Sequence, residues 1–430
     1  TASLSTLFTT QVTSPGGIQF SITPTLIGVL GCTAVASVQG VFSGVAADCS
    51  RTASGYVATL TRRAVPAYYY VYDASRAVNC SISNDNCYAL RFVTSAEQQN
   101  FATWYSFYRN RALSTISAAA LAFYDLSPSV RLSWQGLGRC TSFDGSDTTY
   151  CRNNALKAYT PAHKGQLYAW LQNITFDQST YLPAAMKRAG EFYRTVTPWQ
   201  AYPSGTGTNT TQNTYACRAS YHIMMTDGQW NEATTAPSNF RHDAASFTLP
   251  DGRPITQRAP YYDSTANTLA DLAMHYWATD LNTSLSNNLT AYTPYKSGDA
   301  ATDYWDPRND PATWQHMTNF TMGLGLTQSL GQDNIPWAGS TFAGPGYAAL
   351  AAGTPWPAAG PNASDANVYD LWHAAINSRG EFFSVDSPEA MVQAFADILS
   401  RIADRKSSAA RPAINSGQVS SDESSVQTVS

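Results

Sequence analysis

Charged side chains are scarce in this sequence of 430 residues: 13% are Asp, Glu, Lys or Arg, whereas 43% are hydrophobic and 12% aromatic. The net charge is −4, and residues 1–47 contain no charged side chain. Nucleic acids and anionic membrane surfaces attract clusters of Lys and Arg. The composition therefore excludes them as main partners and is typical of a secreted, loop-rich protein.

Familiar catalytic motifs are also missing. The sequence contains no Gly-x-Ser-x-Gly nucleophile elbow, no Gly-x-x-x-x-Gly-Lys-Ser/Thr phosphate loop and no His-Glu-x-x-His zinc motif. A glycoside hydrolase needs two facing carboxylates, and scattered Asp and Glu residues cannot be paired in this way without coordinates. We therefore expect no enzymatic activity, and a secreted glycan-active enzyme is the least favoured alternative.

Cysteine is rare, and the sequence has no Cys-x-x-Cys pair, which disfavours a zinc site. The seven cysteines are Cys32, Cys49, Cys80, Cys87, Cys140, Cys151 and Cys217. The close pairs Cys80/Cys87 and Cys140/Cys151 lie in polar loops and predict local disulfides formed in an oxidising compartment. Cys32/Cys49 is a candidate third pair. Cys217 is then left as a free buried thiol or as the partner of a cysteine outside this sequence.

Targeting and membrane-spanning segments are not evident. The sequence does not open with the charged region and cleavage site of a signal peptide, so we expect that it is not a precursor. Residues 26–47 are the most apolar stretch, but glycines, Ser/Thr residues and Gln39 interrupt it. Buried or stacked β-strands are therefore favoured here over a transmembrane helix, which needs about 20 apolar residues.

The sequence does show alternating helical and strand patterns. Residues 1–95 are typical of β-strands and loops. From Glu97 to Tyr124, large apolar residues recur at helical spacing and predict one long amphipathic helix. Further strands are predicted at residues 130–134, 221–226, 318–325 and 381–384, further helices at 163–171, 181–193, 268–280, 368–378 and 388–406, and a long loop at 331–362.

This alternation predicts an α/β fold, namely a doubly wound, Rossmann-like parallel sheet with large insertions and a β-rich N-terminal segment. The predicted domains are residues 1–95, residues 96–406 with the doubly wound sheet, and a linker at 407–430. The buried strand that starts at Tyr221 ends abruptly in Thr226-Asp227-Gly228. Ligands bind at the carboxyl edge of such sheets, so Asp227 is the first candidate site residue.

Four stretches of the sequence carry a family resemblance. They are residues 97–106 (EQQNFATWYS), 268–277 (TLADLAMHYW), 314–317 (WQHM) and 369–380 (YDLWHAAINSRG). In this order they resemble the N-terminal domain of the PilY (PilC) family, the tip-associated adhesins and biogenesis factors of bacterial type IV pili. The resemblance implies a von Willebrand factor type A-like fold, a secreted location and a place at the pilus tip beside minor pilins. It also implies that a β-propeller follows this chain.

The resemblance further implies a divalent cation at the sheet edge, held by an Asp-x-Ser-x-Ser loop, a Thr from a second loop and an Asp from a third. Such oxygen ligands suit Mg²⁺ or Ca²⁺. Asp227 matches the third loop. Thr180 falls at the second, although the family's Gly-Gly-Thr-Pro-Leu is replaced by Gln-Ser-Thr-Tyr-Leu.

The first of these loops departs from the family pattern. If residues 26–30 are the first strand, Gly31, Thr33 and Val35 occupy the ligand positions. Either the site is degenerate or the true first strand precedes Thr1. The literal Asp-x-Ser-x-Ser at residues 125–129 follows a predicted helix and is interpreted as a helix-to-strand turn.

Each candidate residue also has a structural interpretation. Asp227 could be a turn residue beside a glycine, Thr180 could cap the following helix, and His222 is interpreted as a core histidine. His275 and His316 are assigned to packing. A further group is interpreted as a solvated loop, because it lacks the ligand spacing of a calcium loop: Asp299, Asp303, Asp306 and Asp310.

The sequence thus predicts an extracellular, type IV pilus tip-associated protein that acts by binding. Minor pilins and a host or abiotic surface ligand are the expected partners, contacted through Tyr- and Trp-rich loops. No nucleic acid, membrane span or catalytic residue is expected, and the one cofactor considered is Mg²⁺ or Ca²⁺ at Asp227 and Thr180. The alternative is a purely structural tip scaffold without an external ligand.

Overall fold

The computed structural model describes residues 67–81, 84–176, 179–201, 213–226 and 229–409, with side chains as far as Arg405. Before residue 67 it describes the backbone of seven strands. The side chains of Cys32, Cys49 and Asp227 therefore lie outside the described part. The chain divides into two compact units, Thr1–Thr103 and Trp104–Ser430, here called the N-terminal and C-terminal units.

The N-terminal unit consists of antiparallel strands. They are β1 (Ala2–Ser3), β2 (Thr10–Thr13), β3 (Gln19–Leu26), β4 (Cys32–Val38), β5 (Val41–Phe42), β6 (Ala47–Thr52), β7 (Gly55–Leu60), β8 (Tyr68–Tyr72) and β9 (Tyr88–Phe92). Their orders are β1-β7-β6, β2-β3-β4-β5 and β8-β9. Leu26, where the apolar stretch begins, thus belongs to β3, which pairs with β4. None of the helices that the structure describes has the length and apolar composition needed to cross a bilayer.

Helices and short strands alternate in the rest of the chain. The helices are α1 (Gln98–Phe107), α2 (Arg111–Ala122), α3 (Pro161–Asn173), α4 (Leu182–Tyr193), α5 (Leu269–Ala278), α6 (Ala300–Trp305), α7 (Gly344–Ala351), α8 (Ala366–Asn377) and α9 (Pro388–Ala409). The strands are β10 (Arg131–Leu132), β11 (Lys157–Ala158), β12 (Ser220–Thr226), β13 (Phe247–Thr248), β14 (Pro254–Ile255), β15 (Met317–Leu324) and β16 (Phe382–Val385).

A parallel sheet of order β12-β15-β16 lies at the centre of the C-terminal unit. Its middle strand, β15, is buried along its whole length, as expected for a parallel strand covered on both faces. Phe320 and Met322 pack with α2, α3 and α9. Thr321 points to the opposite face and donates a hydrogen bond to Leu371 O of α8 at 2.7 Å. Helices therefore cover both faces of the sheet, and the C-terminal unit is a mixed α/β fold.

The prediction of one long helix from Glu97 to Tyr124 was wrong. The chain forms α1 and α2 instead, because Asn110 adopts an extended conformation and its side chain accepts a hydrogen bond from the N–H of Leu113. Asn is among the best residues for starting a helix in this way. The apolar periodicity continues across the break, so the pattern alone could not reveal it.

Two smaller predictions also differ from the structure. The loop predicted at residues 331–362 contains α7, which begins at Gly344 with a proline in its first turn. The strand predicted at 130–134 shortens to β10, whose two residues pair with β11. The turn at residues 125–129 lies between α2 and β10, as predicted, and Ser127 Oγ and Ser129 Oγ are 2.9 Å apart within it.

Among the residues whose side chains the structure describes, there are two disulfides, Cys80–Cys87 and Cys140–Cys151, which are the two close pairs named from the sequence. Cys217 is unpaired and exposed. The alternative that Cys217 is a free buried thiol was therefore wrong, because the residue lies in the loop that precedes β12 rather than within the strand.

Candidate functional site

The carboxyl edge of the parallel sheet is the site predicted from the sequence, and two residues that come shortly after β12, Gln229 and Asn231, make hydrogen bonds there. The N–H of Asn231 donates to Thr180 O at 3.4 Å, and Gln229 Nε2 donates to Asp365 Oδ1 at 2.8 Å. The structure thus brings Thr180 beside the segment that directly follows Asp227. Asp227 itself lies outside the described residues, so its role as a cation ligand stays a prediction.

Thr180 does not cap the following helix, so that interpretation was wrong. The first flanking residue of α4 is Tyr181, and its side chain makes no capping hydrogen bond. Glu232 satisfies the helix start instead, since its Oε1 accepts the N–H of Ala184 at 2.7 Å. A carboxylate at this position also interacts favourably with the helix dipole. Thr180 therefore has no capping role at the sheet edge.

An apolar cavity of about 1300 Å³ lies against β12. Within the described part of the chain, β12 pairs with β15 alone, and its other side forms a wall of this cavity. Among the lining residues are Trp134, Leu167, Tyr221, Ile223, Met225 and Phe395. The lining carboxylates are Asp125 and Asp310, and Asp310 is engaged in the ion pairs described below. The lining suits binding of apolar groups.

The predicted core histidines take structural roles. His222 Nδ1 is 2.8 Å from Asn319 Oδ1 on the neighbouring strand, and burial lowers the pKa of His222 to about 4. The Nδ1 atom of His275 accepts the N–H of Arg241 at 3.1 Å. Both side chains therefore satisfy local hydrogen bonds inside the fold.

The acidic loop that contains Asp299, Asp303, Asp306 and Asp310 is only partly solvated. The interpretation of Asp310 as a solvated residue was wrong. Asp299 caps α6 and Asp306 pairs with Arg308 at 2.7 Å. Asp310, by contrast, is buried. Its Oδ2 lies 3.0 Å from His316 Nε2 and 3.3 Å from Arg405 of α9. His316 thus has a charged partner in addition to its packing role, which the sequence did not reveal.

A second cluster of titratable groups lies between α8 and the long connecting segment between β12 and α5, here called the loop excursion. Asp243, Asp263 and His373 are all buried there. His373 Nδ1 is 3.4 Å from Asp263 Oδ2, and His373 Nε2 is 3.5 Å from Asp243 Oδ2. Each of the three residues offers one potential ligand atom, and these three atoms all lie within 4.8 Å of one another. This spacing is compatible with a single bound ion.

Two further carboxylates border this cluster, and each has structural partners. Asp370 accepts the N–H groups of Leu269 and Ala270 at 2.8 and 3.0 Å, at the start of α5. Asp271 completes the capping box of the same helix with Thr268. Both carboxylates are therefore used to hold the N-terminus of α5.

Burial sets the protonation behaviour of the cluster. It raises the pKa of Asp243 well above its ordinary value and the pKa of Asp370 to about 7. Burial alone would lower the pKa of His373. A hydrogen bond to Asp263 and the charges of the neighbouring aspartates outweigh this effect and raise its pKa to about 9. The cluster thus concentrates negative charge around one imidazole.

Sequence reasoning missed this cluster because its members are far apart in the chain. One local signal was available: Asp370 and His373 are three residues apart on a predicted helix that is otherwise mostly apolar, and they lie in one of the four family-like stretches. Asp243 and Asp263 come from loops without a recognisable motif, and only the tertiary structure brings them to His373.

Comparison with known proteins adds the family. The chain is 48% identical over 354 residues, 82% of its length, to the type IV pilus biogenesis factor PilY1 of Pseudomonas aeruginosa strain PAK. Over the matched region, this chain belongs to the PilY (PilC) family. The PilY1 protein of strain UCBPP-PA14 is also 48% identical, over 355 residues. The family prediction is therefore confirmed.

The match to PilY1 covers only part of those proteins. The chain spans 30% of the PAK protein and 29% of the UCBPP-PA14 protein. No family model and no solved structure matches the chain. The comparison consequently identifies the family, whereas the von Willebrand factor type A-like assignment stays a prediction.

Proposed function

We propose that this chain is part of an extracellular type IV pilus biogenesis factor and acts there by binding minor pilins at the pilus tip. The observation that carries the proposal is the 48% identity, over 82% of the chain, to proteins named as type IV pilus biogenesis factors. Identity of this extent over most of the chain favours a shared role. The two disulfides support a route through an oxidising compartment.

In this proposal the contacts come from the carboxyl edge of the sheet in a von Willebrand factor type A-like domain. Loops on a rigid sheet commonly carry binding residues. Thr180 lies at this edge, and the guanidinium of Arg111 lies against Gly325, the first residue after β15. A cation and a hydroxyl in this position suit an acidic group of a partner. A Mg²⁺ or Ca²⁺ ion held by Asp227 and Thr180 would serve the same purpose.

Adhesion to a surface is the second part of the proposal. Exposed aromatic side chains on the C-terminal unit, Tyr124, Tyr150 and Phe176 among them, provide contact area with little loss of side-chain entropy. A purely structural scaffold would bind minor pilins without this second activity. Measuring surface adhesion and minor pilin binding on the same protein separates the two.

The cellular test uses the full-length protein in its own bacterium. Deleting its gene should reduce the number of surface pili, and complementation with the full-length gene should restore it. Complementation with Thr180→Ala and Arg111→Ala together should restore the protein level but fewer pili. Restoration of pili to the normal number by this double variant would contradict a contact role for the sheet edge, and a normal pilus number without the gene would contradict the function.

A further inference from the structure

We propose that Asp243, Asp263 and His373 form a binding site for one divalent metal ion, with Asn377 as an additional oxygen ligand. The site lies in the helix layer and uses neither Thr180 nor Asp227. The side chains of its three core residues are buried, with exposed fractions of 3%, 4% and 1%. One loop excursion supplies both carboxylates, and α8 supplies the imidazole, so a bound ion would tie the excursion to the helix.

The orientation of His373 is that of a metal ligand. Its Nε2 lies 2.7 Å from Tyr261 O, and because a carbonyl oxygen can only accept, Nε2 carries the proton. In a neutral imidazole, Nδ1 would then carry the lone pair and direct it towards Asp263 Oδ2, 3.4 Å away. Metal-binding histidines commonly donate their other N–H to a backbone carbonyl in this way, which fixes both tautomer and ring direction. The ring of Trp356 stacks on His373 at 4.3 Å and holds its plane.

The distances favour an ion over a direct salt bridge. A charged imidazole clamped by two carboxylates would form hydrogen bonds of about 2.7–2.9 Å. The observed separations are 3.4 Å from Nδ1 to Asp263 Oδ2 and 3.5 Å from Nε2 to Asp243 Oδ2, and only the first involves the nitrogen that would bind an ion. Two ligand atoms that share a tetrahedral metal at bond lengths of about 2.0–2.2 Å lie about 3.4 Å apart. The gap between Nδ1 and Asp263 is therefore the gap that an ion between them requires.

Charge balance points in the same direction. Two buried carboxylates beside a single imidazolium leave an uncompensated negative charge unless one of them takes up a proton, and burial of such a charge is costly. A divalent ion with Asp243, Asp263 and a neutral His373 is neutral as a group.

Asn377 is an independent indication of a missing ligand. Its side chain has no exposed surface and reaches into the cluster, where Nδ2 donates to Asp243 Oδ2 at 2.9 Å and to Ala270 O at 3.2 Å. Its Oδ1 has no hydrogen-bond partner, although buried polar atoms are almost always paired. Rotation of the carboxamide would exchange these two hydrogen bonds for a bond from this oxygen to the ion, as a fourth ligand.

A second cavity adjoins the site at Asp263. This cavity of about 290 Å³ is lined by Asp263 and Trp356, together with Arg258, Pro260 and Tyr262. Asp263 thus forms part of both the cavity wall and the cluster. One imidazole nitrogen with carboxylate and amide oxygens is a donor set that suits Zn²⁺ or Mn²⁺ better than the soft thiolate-binding metals.

The test measures metal content and stability of the purified, tag-free chain. After chelation and dialysis against Zn²⁺ or Mn²⁺, the chain should retain close to one ion, and its melting temperature should rise by roughly 5 °C relative to the chelated protein. The isosteric variants Asp263→Asn and His373→Gln should each lose the ion and the shift. The control Asp299→Asn, which alters an exposed helix cap, and Asp227→Ala should retain both.

Substitution with Co²⁺ provides a readout that does not depend on the variants. A Co²⁺ absorption spectrum typical of nitrogen and oxygen ligands in the wild-type chain would support the site even if a variant fails to fold. The proposal is overturned if neither Zn²⁺ nor Mn²⁺ is retained, or if well-folded Asp263→Asn and His373→Gln bind as the wild type does. The cluster would then be an imidazolium held by two carboxylates.

Discussion

Replacing Asp310 by Asn tests how the last helix is attached to the fold. The carboxylate of Asp310 accepts hydrogen bonds from Trp277 Nε1 at 3.2 Å and Thr318 Oγ1 at 3.3 Å. It also pairs with His316 and with Arg405 of α9. The side chains of Asp310 and Arg405 are each only 8% exposed. An amide at this position would remove the carboxylate that pairs with this buried guanidinium.

The cost can be worked out from these contacts. Removing one partner of a buried ion pair typically costs about 3–5 kcal/mol. Arg405 keeps its hydrogen bond to Arg379 O and its contact with the ring of Tyr292, so we expect the lower end, about 3 kcal/mol. At about 2 °C per kcal/mol for a large domain, the melting temperature should fall by roughly 6 °C.

The pH dependence gives a second expected result. Burial would raise the pKa of Asp310, but the charges of His316 and Arg405 outweigh it and hold that pKa well below its ordinary range. The stabilisation is therefore fully present above the unfolded pKa of about 4 and is lost as pH falls through the folded value. The difference in melting temperature between wild type and Asp310→Asn should stay constant from neutral pH to about pH 5 and shrink below about pH 4.

The assay is thermal unfolding followed by circular dichroism, with Asp333→Asn as the matched control. Asp333 is exposed, and surface substitutions of this kind usually change stability by less than about 0.5 kcal/mol. If the two variants lose similar stability, or if the Asp310→Asn difference grows at acid pH, then the ion pair does not stabilise the fold as argued.

Three further predictions concern other parts of the chain. Gly380→Ala should destabilise the fold by about 1–3 kcal/mol or more, because a Cβ there would overlap a β15 carbonyl. Its control, Gly165→Ala, lies in an open helical position and should stabilise the fold by up to ~1 kcal/mol. Equal melting temperatures of the two variants would refute the steric argument. Changing Cys140 and Cys151 to Ser together should lower the free energy of unfolding by about 3 kcal/mol, because the loop set by their separation of 11 residues is no longer closed in the unfolded chain. An unchanged free energy of unfolding in denaturant titration would contradict this prediction. Calorimetric titration with Mg²⁺ or Ca²⁺ should give heat that Asp227→Ala abolishes, and absence of heat for the wild type would mean a metal-free sheet edge.

Much of the fold could be predicted because its elements carry local signals. The strand at β15 and the helix at α8 are long apolar runs with clear boundaries, and Thr268 with Asp271 starts α5 by a recognisable capping pattern. The break at Asn110 was missed because apolar spacing continues through it, and a single capping side chain decides the outcome. Local patterns thus locate elements better than they locate interruptions.

The candidate sites were less accessible from sequence. Asp243, Asp263 and His373 meet only because α8 packs beside a loop excursion, and no spacing in the chain encodes that contact. Asp310 looked like one of several solvated acids, and its burial depends on Arg405, 95 residues later. Tertiary contacts of this kind override local composition.

The most direct test of the proposed function is a binding isotherm between this chain and purified minor pilin ectodomains. Biolayer interferometry with the chain immobilised should show saturable, micromolar or tighter binding to at least one minor pilin, and none to the major pilin ectodomain used as the matched control. Absence of binding to every minor pilin, or equal binding to the major pilin, would contradict the proposal that this unit acts at the pilus tip.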